Sequence, residues 1–156
     1  AWLKGLSPKQ NREIPELNYD RVYRLKSDYP DLEIVINGGI DSLECSIKHL
    51  KKIDGVMIGR EAYTNPYLLA EVDQRIYGQD KPIIKREEIA EKFCEYIDNE
   101  MHKGTKLHSM TRHMLGLFRG VKGAKQFRRY LSENAYSENA SIDVLYNALL
   151  KTEGAT

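Results

Sequence analysis

Cysteine is nearly absent: Cys45 and Cys94 are the two thiols in 156 residues. That is too few for a disulfide framework, so a reducing, cytoplasmic setting is expected. No apolar run comes near the roughly 20 residues of a membrane span. The opening stretch AWLKGLSPKQ lacks the hydrophobic segment of a signal peptide. It starts with Ala1 rather than Met, so a piece of a longer chain is expected. Metal ligands are wanting too. His102, His108 and His113 lack ligand spacing and no Cys/His cluster accompanies them, so no metal is expected. Acid is missing from one long stretch. From Met101 to Ser132 there are eight cations (Lys103, Lys106, Arg112, Arg119, Lys122, Lys125, Arg128, Arg129) and no Asp or Glu. Against a net charge of +1, that segment carries +8 and the rest −7. Such asymmetry suggests a polyanion-binding surface on an acidic body; a solvated basic face is the bland alternative.

What is present falls into two parts. Residues 1–17 hold Gly5, Ser7-Pro8, Asn11 and Pro15, and read as a loop. A helix is expected over Asn18–Ser27, a strand over Leu32–Ile36, a helix from Asp41 to about Lys51 and a second strand over Val56–Ile58. Asp41-Ser42-Leu43-Glu44 has capping-box spacing, with Asp41 as N-cap. Asn65-Pro66 reads as an N-cap and a proline in the first helical position, with the helix closing at Gly78. Both strands are continuously apolar, as in parallel sheets covered on both faces, and a helix between them suits a right-handed crossover. Beyond Gly78 no strand pattern returns. Ile89, Phe93, Tyr96, Ile97 and Met101 recur at helical spacing, and further helices are expected over 106–118, 124–134 and 142–151. The expected boundary lies between residues 1–78, an α/β part, and 79–156, a helical part. Two parallel strands alone leave open edges, so the first part must complete a larger sheet.

The strand ends carry the chemistry. IVINGGI and GVMIGR are apolar runs that stop at glycine. The last two strands of a (β/α)8 barrel commonly end in a phosphate site, where glycine lets backbone N–H groups approach the anion. Asn37, Gly38 and Gly39, with Gly59 and Arg60 after the second strand, fit that role, Arg60 adding a forked cationic donor. A tight turn before a helix is the plain alternative for Asn37-Gly38-Gly39. Cys45 and Cys94 read as small core residues rather than nucleophiles.

GLSPKQNREIPELNYDRVYRLK, VINGGI, GVMIGREAYTNPYLLAEVD, RHMLGLFRG and RRYLSENA together resemble the C-terminal half of bacterial tRNA-dihydrouridine synthases of the A type. The resemblance spans nearly the whole chain. It implies the end of an FMN-binding (β/α)8 TIM barrel followed by an all-α tRNA-binding domain. It implies reduction of the 5,6 double bond of D-loop uridines, of the position 20/20a type, with NADPH as electron donor. By the same resemblance Asn37, Gly38, Gly39, Gly59 and Arg60 contact the flavin phosphate, and Lys9, Arg12, Lys125 and Arg128 contact tRNA. The catalytic cysteine, the flavin-ring lysine and a histidine would lie upstream of Ala1, leaving no catalytic residue in this chain and no activity for the chain alone. The full-length protein is expected to be a cytoplasmic monomer. Two other classes stay open on the residues themselves. A small-molecule FMN or phosphosugar barrel enzyme accounts for the glycines but not the basic segment. A non-catalytic RNA-binding module accounts for the charge but not the glycines.

Overall fold

The computed structural model describes residue 5, residues 7–13 and residues 16–153. It divides into two compact units, 1–59 and 60–156. In the first unit the helices are α1 (Pro8–Glu13), α2 (Tyr19–Asp28) and α3 (Leu43–Leu50), and the strands are β1 (Val35–Ile36) and β2 (Gly55–Val56). In the second, α4 (Arg60–Thr64) leads into a 3-10 helix (Pro66–Glu71), followed by α5 (Val72–Arg75), α6 (Arg86–His102), α7 (Leu107–Thr111), α8 (Ala124–Asn134) and α9 (Asp143–Glu153).

The first unit departs from the sequence reading at its start. Ser7-Pro8, read as loop, instead opens α1. The Gln10 N–H donates to Ser7 Oγ at 3.3 Å and the Ser7 N–H to Gln10 Oε1 at 2.9 Å. This is a reciprocal capping box with proline in the first turn. The cap of α3 is also one residue later than expected. Ser42, not Asp41, is the N-cap, its Oγ accepting from the Cys45 N–H at 3.2 Å. At α2 the expected helix begins one residue late, at Tyr19, because Asn18 is its N-cap, with Oδ1 accepting from the Arg21 N–H at 3.0 Å.

β1 and β2 pair in parallel, Val35 opposite Gly55 and Ile36 opposite Val56. Their core is small, built on Ile36, Ile40 and Ile53, with Tyr19, Val22, Tyr23, Cys45, Val56 and Ile58 packed around it. The strands are not covered on both faces within this unit. Val35 is 56% and Met57 47% exposed, because the described residues of the unit supply no second layer over that side. Lys26 ties the unit's corners together. Its Nζ lies 2.8 Å from each of Pro30 O, Leu32 O and the Asp54 carboxylate, and Asp54 also accepts the Ile34 N–H at 2.8 Å. These bonds hold the Asp54 carboxyl below its ordinary pKa.

The second unit is a helical body with a larger core. Ala90, Cys94 and Ile97 of α6, Leu107 and Met110 of α7, Phe127 and Leu131 of α8, and Leu145 and Ala148 of α9 are buried together. Phe118 and Phe127 meet edge to face, centroids 5.0 Å apart. Residues 60–78, expected on the α/β side of the boundary, fall in this compact unit. Tyr67 packs on the helical core, and Arg86 sits over its ring, 3.6 Å from the centroid. The helix expected over 106–118 ends at Thr111. A series of i→i−3 hydrogen bonds continues from His113 to Ala124, because Gly116, Gly120 and Gly123 meet tight approaches or left-handed backbone there. The helix expected after Asn65-Pro66 begins as a 3-10 helix, and Asn65 makes no side-chain cap bond. Among the described residues no helix is long and apolar enough to cross a membrane.

The burial of Cys94 has a measurable consequence. Removal from water, followed by the neighbouring Glu91 charge, raises its thiol pKa to about 11. At pH 8 the thiolate is therefore scarce as well as shielded. Alkylation of native protein at pH 8, read by peptide mass spectrometry, is expected to label half-buried Cys45 well before Cys94. Equal labelling rates would contradict the packing of α6.

Candidate functional site

Two places carry chemistry, one in each unit. In the first, Asn37-Gly38-Gly39 follows β1 at once. Gly38 and Gly39 have φ of +95° and +65°, a left-handed pair that favours glycine. A Cβ on Gly38 would come 2.8 Å from Leu17 Cδ2, and one on Gly39 2.6 Å from Leu17 Cδ1 and 2.9 Å from the Tyr19 hydroxyl. Conformation is the stronger reason for glycine, since the atoms a Cβ would meet are side-chain ends, chiefly those of exposed Leu17. The Tyr19 hydroxyl donates to Gly38 O at 2.7 Å. Among the described residues no acceptor takes the N–H of Gly38, Gly39 or Ile40. Successive free amides in left-handed backbone form an anion-binding nest, so this loop fits a phosphate.

Gly59 and Arg60 are both exposed. Gly59 has no left-handed φ, and a Cβ there would meet only Met57 Sδ, at 3.8 Å. Neither its backbone nor its neighbours require glycine. Arg60 begins α4 in the second unit, and its carbonyl accepts from Thr64 Oγ1 at 3.1 Å. Lys9 is exposed on α1. Arg12 lies on the same helix, but its side chain is outside the described residues.

The second place is a cleft of about 380 Å³ lined by Tyr63, Thr64, Arg112, Leu115, Gly116, Arg119 and Arg128. Gly116 makes it possible. A Cβ at that position would overlap the Thr64 carbonyl oxygen, so only glycine lets the 64–66 segment close on the helical body. Arg119 is held in place, its Nη1 2.8 Å from Glu61 Oε1 and 3.4 Å from Thr64 Oγ1. Arg112 and Arg128 are exposed and have no ion-pair partner among the described residues. Tyr63 and His113 meet beside them, hydroxyl to Nδ1 at 3.1 Å.

α8 brings two of the expected tRNA contacts together. Lys125 and Arg128 are three residues apart and both exposed, so they share a face, while Ala124, Phe127 and Leu131 turn into the core. Arg128 reaches the cleft; Lys125 does not line it. Arg129, on the same basic stretch, is engaged by Glu133 at 2.7 Å, which raises its pKa. The start of α8 is fixed by Gly123, left-handed at φ +86°, where a Cβ would overlap the Lys151 carbonyl. The sequence singles out neither Gly116 nor Gly123, and Arg112 only as one of the eight cations of the acid-free stretch. An isolated glycine inside an expected helix was the available signal for the first. Among the described residues no group of three His, Cys, Asp or Glu could hold a metal ion.

A glycine nest at a parallel strand end fits an anion and a basic helical body fits a polyanion, and the family follows from comparison. The family description "Dihydrouridine synthase (Dus)" matches residues 3–153, and the chain belongs to that family. It is 56% identical over 151 residues to the tRNA-dihydrouridine(20/20a) synthase of Vibrio cholerae, covering 97% of this chain and 46% of that protein. The proteins of the same description from Shewanella oneidensis and Escherichia coli K12 are 57% and 55% identical, over 93% and 96% of this chain and 43% of each relative. The chain thus spans a little under half the length of these relatives.

The tight approach at Gly116 can be tested alone. Gly116→Ala places a methyl group against rigid backbone, and overpacking of this kind costs about 1–3 kcal/mol. Thermal unfolding followed by circular dichroism is expected to show a lowered midpoint. A midpoint equal to wild type would mean that Thr64 does not approach as described.

Proposed function

We propose that this chain is the C-terminal part of a cytoplasmic, flavin-dependent tRNA-dihydrouridine synthase that reduces the 5,6 double bond of D-loop uridines of the 20/20a type. The observation that carries this reading is the match of residues 3–153 to relatives named for that activity, joined to unpaired cations at the arginine cleft and on α8. In this reading residues 1–78 are the end of a (β/α)8 barrel and residues 79–156 the tRNA-binding helical domain. The exposed Val35 and Met57 support it, since further barrel strands and helices would cover them. Residues 60–78 then descend from the barrel while packing with the helical body.

Asn37, Gly38 and Gly39 hold the FMN phosphate through the free N–H groups of the loop. Gly59 lets backbone approach closely, and Arg60 supplies a cation. FMN supplies hydride chemistry when bound, and NADPH is the electron donor. Lys125 and Arg128, with Lys9 and Arg12, take tRNA phosphates. Such contacts fix register without reading sequence, and the target base must leave its stack to be reduced. The catalytic cysteine lies in the part of the protein that this chain does not include, so the chain alone is inactive. The full-length protein acts as a monomer.

Two measurements on the full-length protein test this reading. The Lys125→Ala/Arg128→Ala double variant is expected to bind tRNA more weakly and to flatten the salt dependence by about one to two units of log K per log salt, with flavin content unchanged. An unaltered slope would reduce these side chains to solvated surface. Arg60→Ala is expected to weaken FMN retention on dialysis, since a charge-assisted contact to phosphate is worth about 1.5–3 kcal/mol. Full retention would point the arginine elsewhere.

A further inference from the structure

The glycine loop is held by groups that play no part in the family reading above. Tyr19 and Tyr23, four residues apart, share a face of α2. His49 of α3, only 4% exposed, lies against both rings. Its Nδ1 is 2.7 Å from the Tyr23 hydroxyl, and its ring meets Tyr19 edge-on with centroids 4.6 Å apart. Tyr19 in turn donates its hydroxyl proton to the Gly38 carbonyl. Burial, and after it the neighbouring Cys45, raises the Tyr19 pKa, so the hydroxyl remains a donor through neutral pH.

The peptide between Gly38 and Gly39 is trans, there being no cis bond among the described residues. A trans peptide sends its C=O and its N–H in opposite directions. Fixing the Gly38 oxygen toward Tyr19 therefore fixes the Gly39 N–H away from Tyr19. Two glycines in succession have no side chain to restrain them and would otherwise range widely in φ and ψ. Leu17 packs against the same two residues and limits the space further.

We propose that Tyr19, set in place by His49 and Tyr23, is a positioning residue that preorganises the Gly38–Gly39 amides for an anionic phosphate. The proposal rests on the reading of this loop as the flavin-phosphate contact and adds the group that orients it. Preorganised donors bind more tightly because the ordering cost is met before the ligand arrives.

The test uses full-length apoprotein, wild type and Tyr19→Phe, titrated separately with FMN and with riboflavin, which lacks the phosphate. Binding is read from the change in flavin fluorescence. The substitution keeps the ring that packs on His49 and removes only the hydroxyl. The expected result is a fivefold to tenfold loss of FMN affinity, roughly one hydrogen bond, with riboflavin affinity unchanged. An equal loss for both flavins would show that Tyr19 merely supports the fold, and unchanged FMN affinity would show that it orients nothing; either overturns the proposal. A wild-type protein that binds riboflavin as tightly as FMN would instead remove the phosphate reading itself. If Tyr19→Phe fails to fold, Tyr23→Phe, which frees His49, carries the same comparison: a smaller but selective loss of FMN affinity supports the proposal, and a non-selective loss or none overturns it.

Discussion

The helical unit depends on one close approach, that of the Thr64 carbonyl to Gly116. Backbone can lie against backbone at that point only because position 116 has no side chain. The approach brings Tyr63 and Thr64 to the rim formed by Arg112, Arg119 and Arg128. It also brings Glu61 to Arg119, which is thereby oriented and locally neutralised. The cleft therefore has one fixed arginine and two unpaired ones. A site that binds RNA backbone gains from this division, because the held side chain has already lost its rotamer freedom while the unpaired ones keep their charge for phosphate.

The two units differ in how much holds them. The helical body buries a broad contiguous core drawn from α6, α7, α8 and α9. Among its described residues the strand-bearing unit buries Ile36, Ile40, Leu43 and Ile53 and adds polar ties, Lys26 with Asp54 and Tyr23 with His49. Lys26 and Tyr23 are partly buried and His49 is almost wholly buried. Their value is geometric: Lys26 fixes the turn between α2 and β1, and β1 delivers the chain into the glycine loop. A loop that must present its N–H groups in one arrangement needs rigid supports on both sides, and α2 and α3 provide them.

The order of elements was legible in the sequence because it rests on local signals. The helix read from Asn18 is α2, and the apolar spacing from Ile89 to Met101 gave α6. The glycines ending IVINGG were legible as a special turn, and the structure adds the reason, two left-handed residues in succession; Gly59, ending GVMIG, has no such backbone. What could not be read depended on contacts between residues distant in sequence. The helix expected over 106–118 stops at Thr111 because Gly116 must meet Thr64, about fifty residues away. The boundary expected near residue 78 follows the end of strand patterning, whereas residues 60–78 fall in the same compact unit as the helical body. Ser7-Pro8 was a local signal misread: a serine followed three residues later by glutamine is a capping box even when the residue between is proline.

Charge shows the same limit of composition. The acid-free stretch carries eight cations in sequence, but three of them meet carboxylates that lie outside it, two at its borders and one, Glu61, forty residues before it. Lys103 pairs with Glu100, Arg119 with Glu61 and Arg129 with Glu133. Among the described residues, Lys106, Arg112, Lys122, Lys125 and Arg128 have no such partner. These five are the cations that can release counterions on binding a polyanion, since a side chain already paired in the free protein must give up that pair to engage a phosphate. Arg112 and Arg128 line the cleft, and Lys122 and Lys125 flank the glycine-fixed start of α8. The polyanion surface inferred from a count of residues is thereby narrowed to particular side chains. The pairing of the other three separates the cations that are held in place from those that remain available to a polyanion.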